Sequence, residues 1–85
     1  MVSSEKILEK ILRGTSDANI AFTDLCSILT QFGFSERIHG SHHIFFKKDI
    51  VEIINIQPDG SKAKPYQVKQ VRNLILRYKL AGNHD

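Results

Sequence analysis

Apolar residues keep two different rhythms along this chain, and the change of rhythm marks out its elements. The first third has a helical period. Ile7, Leu8, Ile11 and Leu12 recur at helical spacing, Ser4 can cap the segment and Gly14 can stop it, so a helix is expected over residues 5 to 13. Residues 15 to 21 keep no period and read as a connector. A second helix opens at Phe22 or Thr23 and runs through Phe32. Leu25, Ile28, Leu29 and Phe32 form its stripe, Asp24 suits its dipole and Gly33 ends it.

The period then drops to two. Phe34 to His39, His42 to Lys47 and Val51 to Gln57 read as strands, joined at Gly40-Ser41 and Lys48-Asp49. Pro58-Asp59-Gly60 is a turn, because proline presets φ and glycine permits its positive range. Pro65 opens a last helix, Gln67 to about Lys79, that buries Val68, Val71, Leu74, Ile75 and Tyr78. Residues 81 to 85, with His84, read as a frayed tail without a role. Short connections between the strands favour an antiparallel meander. The expected fold is α+β and two-layered: an α-β-β-β-α unit with a three-stranded antiparallel sheet and an extra N-terminal helix.

Composition narrows the class. Eighty-five residues make one domain, residues 1 to 85, and 41% hydrophobic with 25% charged residues is ordinary for a soluble globular protein. No stretch is long and apolar enough for a membrane span, and the first residues lack the pattern of a signal peptide. A single cysteine, Cys26, cannot form an internal disulfide and suits the cytoplasm; beside the second helix's stripe it reads as a small hydrophobe. The net charge of +3 is uneven: Lys62, Lys64, Lys69, Arg72, Arg77 and Lys79 face only Asp85 in the last third. That asymmetry fits a polyanion such as nucleic acid, or else a solvated helix face.

Chemistry concentrates in residues 37 to 46, which hold His39, His42 and His43. Four readings are open from the residues. The three histidines could bind a metal, although adjacent strand residues point to opposite faces. Ser41 could be a nucleophile with a histidine, although Gly-Ser-His is not the nucleophile-elbow pattern. One histidine could move protons on RNA, which brings its own nucleophile in the 2′-hydroxyl. Or the histidines are structural, at a sheet edge. Alternation sets His42 with Ile44 and Phe46, and His43 with Phe45 and Lys47, so both faces of this strand are apolar at its centre. Either His42 begins the strand beyond the covered part of its face, or the extra helix or a partner covers that face.

Gly40-Ser41-His42-His43-Ile44-Phe45 resembles the GSHH-I-F signature of the HicA-type mRNA interferase toxins of bacterial toxin–antitoxin pairs. Leu25, Leu29 and Gly33-Phe34, the run from Glu52 to Pro58, and the run from Lys62 to Arg72 also resemble one branch of that family. The likeness spans a core of about residues 22 to 80. It implies a double-stranded-RNA-binding-like fold, cleavage of mRNA without a metal or other cofactor, and neutralisation by a HicB-like antitoxin, with a homodimer open within that complex. The family's essential histidine maps onto His42. Gly40, Ser41, His43 and Arg37 are supporting candidates, Arg37 for charge developing on phosphate. Lys47, Lys48, Lys62, Lys64 and Arg72 are candidates for RNA phosphate contacts. His39 stands where relatives are often basic, and Lys47-Lys48-Asp49-Ile50 replaces a hairpin that often carries arginine and Pro-Gly. The first helix lies outside the core, with sheet cover, dimer contact or antitoxin contact as candidate roles. The rival functions are a non-catalytic double-stranded-RNA-binding module and a pure interaction protein.

Overall fold

A computed structural model describes residues 4–82; the expected tail from residue 83 on, with His84, lies outside the described residues. Helix α1 spans Ser4–Arg13, α2 spans Phe22–Gln31 and α3 spans Pro65–Arg77. Strands β1 (Ser35–His39), β2 (His42–Lys47) and β3 (Ile50–Ile56) form one antiparallel sheet in that order. This is the expected α-β-β-β-α order behind an extra helix.

Local chemistry explains the boundaries. Gly33, at φ +94°, lets the chain leave α2 while its N–H reaches the Thr30 carbonyl and the Phe34 N–H reaches that of Leu29. A residue with a side chain would be strained in that left-handed turn. Pro65 occupies the first turn of α3, where a missing N–H costs nothing. Between β1 and β2 the chain reverses in two residues. Gly40 has φ +61° while Ser41 is not in the positive range, which is the type II′ hairpin that takes glycine first. His39 and His42 are thereby set directly opposite each other.

Phe45, Ile50, Ile54 and Ile56 bury one face of the sheet against Leu25, Ile28 and Leu29 of α2 and Val68, Val71 and Ile75 of α3. Helix α1 joins this core through Ile7 and Ile11 and packs on α2 and α3. The opposite face of the sheet stays open. Arg37, His39, His42, Phe46, Val51, Ile53 and Asn55 are exposed there and Ile44 is half-buried. The extra helix therefore does not cover the face that carries His42.

The connector is more ordered than its composition suggests. It holds a 3-10 turn at Asp17–Asn19, and its end pairs with a two-residue hairpin, β4 (Pro58–Asp59) and β5 (Lys62–Ala63). Ala63 N–H donates to the Ile20 carbonyl at 2.8 Å, and Phe22 N–H to that of Ser61 at 3.0 Å. The expected turn at residues 58 to 60 is thus part of a clamp on the start of α2.

Arg72, a candidate for RNA phosphate in the sequence, is engaged within the fold. Its Nη1 and Nη2 grip both carboxylate oxygens of Asp17, at 2.8 and 3.1 Å, and Nη1 also reaches the Ile11 carbonyl at 3.1 Å. The guanidinium lies 3.4 Å from where a Cβ would stand on Gly14, in contact distance of the turn that ends α1. These contacts hold the guanidinium against the connector and leave it largely covered. Arg77 is also engaged, donating to Glu52 at 2.7 Å. The Tyr78 hydroxyl, and after it Arg77, hold the Glu52 carboxyl below its ordinary range.

Candidate active site

His42 is the first residue of β2, fixed by the hairpin behind it and exposed on the open face. Its Nδ1 lies 3.1 Å from Oδ1 of Asn55 on β3. This is a hydrogen bond when Nδ1 carries the proton, and that tautomer leaves Nε2 with its lone pair toward solvent. The ring is thus aimed by a neutral amide. It can accept a proton at Nε2, and the Asn55 oxygen stays hydrogen-bonded to the cation that results.

The turn beside it is braced from behind. Gln57 Nε2 donates to Ser41 Oγ at 2.8 Å, and the Gln57 N–H donates to Gln67 Oε1 at 3.2 Å. Gln67 is buried at 3% exposure on α3, and its amide nitrogen reaches the Tyr66 hydroxyl at 3.4 Å. The polar chain from the hairpin to α3 holds Gly40 and Ser41 in place beside His42. Ser41 Oγ is bonded to Gln57 and not to a histidine ring, so it lacks the base that a nucleophilic serine requires.

His43 sits on the other face. Its Nδ1 is 2.7 Å from Glu36 Oε2, and its ring meets Phe22 edge-on at 4.8 Å between centroids. His43 cannot join His39 and His42 around one ion, because the sheet lies between them. Cys26, Glu36 and His43 are a different trio, with ligand atoms all within 4.8 Å of one another. Among the described residues they are the histidine, cysteine and acidic side chains close enough together to share one ion. Burial, and after it the Glu36 charge, push the Cys26 thiol up to about 12, so it is a neutral side chain near physiological pH.

The expected phosphate contacts divide by place. Lys62 on β5 and Lys64 before α3 follow the end of β3 that pairs beside His43, so they share His42's end of the sheet. Lys47 and Lys48 stand at the far end of β2, roughly 16 to 20 Å from His42 at the rise of a strand. Lys47 leans over the end of α2, its Cε 3.5 Å from where a Cβ of Gly33 would be. Arg37 lies on the open face with His42, opposite Ile44, and its guanidinium sits 5.8 Å from the centre of the Phe46 ring. Asn55 and Gln57 are site residues that the sequence reading passed over. The signal for Asn55 was its presence in a β-branched run, where asparagine is a poor strand former.

A family model described as the HicA toxin of bacterial toxin-antitoxin matches residues 22–82, leaving α1 outside the match. No curated protein and no solved structure matches the chain.

Proposed function

The chain belongs to the HicA toxin family, and on that premise we propose that it is an endoribonuclease that cleaves mRNA without a metal, using His42 for proton transfer. The observation that carries the reading is the exposed His42 ring, aimed by Asn55 so that Nε2 is open. In the proposed step Nε2 takes the proton from a ribose 2′-hydroxyl. The oxygen attacks the adjacent phosphorus, the bond to O5′ breaks, and O5′ leaves with a proton taken from water, while the His42 imidazolium later returns its own proton to solvent. The products are a 2′,3′-cyclic phosphate and a 5′-hydroxyl. Arg37 is diagonal to His42 on the same face, roughly 7 to 8 Å away along such a pairing, with its guanidinium toward Phe46, and serves the RNA backbone next to the cleaved phosphate. Lys62 and Lys64 hold the RNA backbone at the same end. A toxin of this kind has an antitoxin partner, a HicB-like protein whose footprint we place over Gly40, Ser41 and His42.

The test is the chemistry of the ends. Purified protein and an unstructured RNA should give 2′,3′-cyclic phosphate ends at the same rate with and without EDTA. Products ending in 5′-phosphate and 3′-hydroxyl, or activity lost on chelation, would overturn this mechanism.

Asn55 acts in this scheme as a positioning residue. Asn55→Ala removes one exposed hydrogen bond, worth about 0.5 to 1.5 kcal/mol, so cleavage measured on the folded protein should fall roughly 2- to 12-fold and the Tm should drop by no more than about 10 °C. Asn55→Asp sets a carboxylate beside the ring and favours the imidazolium, so the basic requirement in the pH–rate profile should move to higher pH. An unmoved profile in both variants would leave Asn55 without this role.

A further inference from the structure

The open face of the sheet has a composition that proton transfer at one histidine does not use. Val51, Ile53 and Phe46, together on this face, are 89%, 64% and 38% exposed. Ile44, Phe46 and Ile53, with Arg37 and His39, line a depression of about 330 Å³. The register places Ser35, Arg37, His39, His42, Ile44, Phe46, Val51, Ile53 and Asn55 on this side, and none of these strand residues is acidic. Glu36 and Glu52, the carboxylates of the same strands, fall on the helix side.

Resting on the nuclease reading above, we propose that this face binds single-stranded RNA, with Phe46 stacking on an unpaired base and Arg37 beside it on the backbone. An aromatic ring beside an arginine, on a face without a carboxylate, suits a strand whose bases show their π-faces and whose backbone is anionic. Duplex RNA hides those faces in its stack and offers Phe46 nothing to cover. A second copy of this chain in an isologous contact would bring Arg37 toward the same carboxylate-free face, where no opposite charge pairs with it. Along β2, Phe46 lies roughly 13 Å from His42, so the stacked base is near the phosphate at His42 but not attached to it.

The probe is a single-stranded 2′-O-methyl oligoribonucleotide, which has no nucleophilic 2′-hydroxyl, carrying 2-aminopurine at successive positions. Wild-type protein should quench the fluorophore at one or two positions. Phe46→Ala and Phe46→Leu should lose that quench and bind roughly 5- to 150-fold more weakly, while Phe46→Tyr retains both. A blunt duplex of the same length should bind without sensitivity to Phe46. Thermal melts of each variant confirm that the fold is kept. Wild-type affinity and quench in Phe46→Ala, no binding by the wild-type protein, or a duplex that needs Phe46 equally would each overturn the proposal. So would a Phe46→Ala protein that binds RNA normally but no longer binds its antitoxin, since the face would then belong to a protein. Cleavage of unmodified RNA by the wild-type protein separates the two readings. Cleavage that ignores Phe46 keeps the nuclease and removes the base site, and Phe46-dependent binding without cleavage does the reverse.

Discussion

His42→Ala is expected to lower RNA cleavage by about 10²- to 10⁴-fold, the range that a positioned general acid or base contributes. The ring is exposed and its Nδ1 contact with Asn55 is on the surface, so its removal opens no cavity and the Tm should hold. Growth arrest on expression should disappear with the activity, and binding of the antitoxin should persist. His43→Ala is the contrast within the same strand. It loses a 2.7 Å contact with Glu36 and an edge-on contact with Phe22, both on the packed side. The loss should appear as a lower Tm with cleavage retained at temperatures where the protein is folded. Cleavage rates and melts of both variants decide the matter. A folded His42→Ala protein with full activity would end the assignment, and a folded but inactive His43→Ala would transfer it to the other histidine.

Arg72→Ala should cost about 2 to 4 kcal/mol of stability. That range takes the upper part of the ~1.5 to 3 kcal/mol of a hydrogen bond to a charged group and the lower part of the ~3 to 5 kcal/mol for breaking a buried pair. The pair is largely covered, with 15% and 21% of the two side chains exposed, and its loss strands both Asp17 and the Ile11 carbonyl. In a domain of this size the Tm should fall by roughly 10 °C or more. Arg72→Lys should recover only part, because an ammonium cannot grip two carboxylate oxygens at once. The salt dependence of RNA binding should not change. A variant that melts like the wild type while its log–log salt slope drops by about one would return Arg72 to the RNA backbone.

Arg72 also shows where a sequence stops being legible. Its partner Asp17 is 55 positions away in an aperiodic connector, and nothing local distinguishes it from Lys69 or Lys79. What was legible is what local rules dictate. The stripes of α1, α2 and α3 follow from period, the bend after α2 from Gly33, and the separation of His42 from His43 from strand alternation. The clamp of Ile20 to Phe22 on Ser61 to Ala63 was hidden, because two-residue strands exist only through their backbone partners. Asn55 and Gln57 were hidden for the same reason. Their meaning comes from His42 and Ser41, which the fold brings to them across a hairpin. The faces of β2 were readable as a pair, but which one the helices cover was not, since both carry phenylalanine at the centre.

The brace from Ser41 through Gln57 to Gln67 has a consequence for the order of synthesis. A chain leaves the ribosome from its N-terminus, and domains fold as units once their parts are out. The hairpin that sets His42 is translated early, but its support comes from α3, and the start of α2 is held by residues 61 to 63. Until those late residues emerge, the nascent chain has the residues of the site without the frame that aims them. The site therefore gains its full support only once residues 57 to 67 have been made and have folded back onto the hairpin.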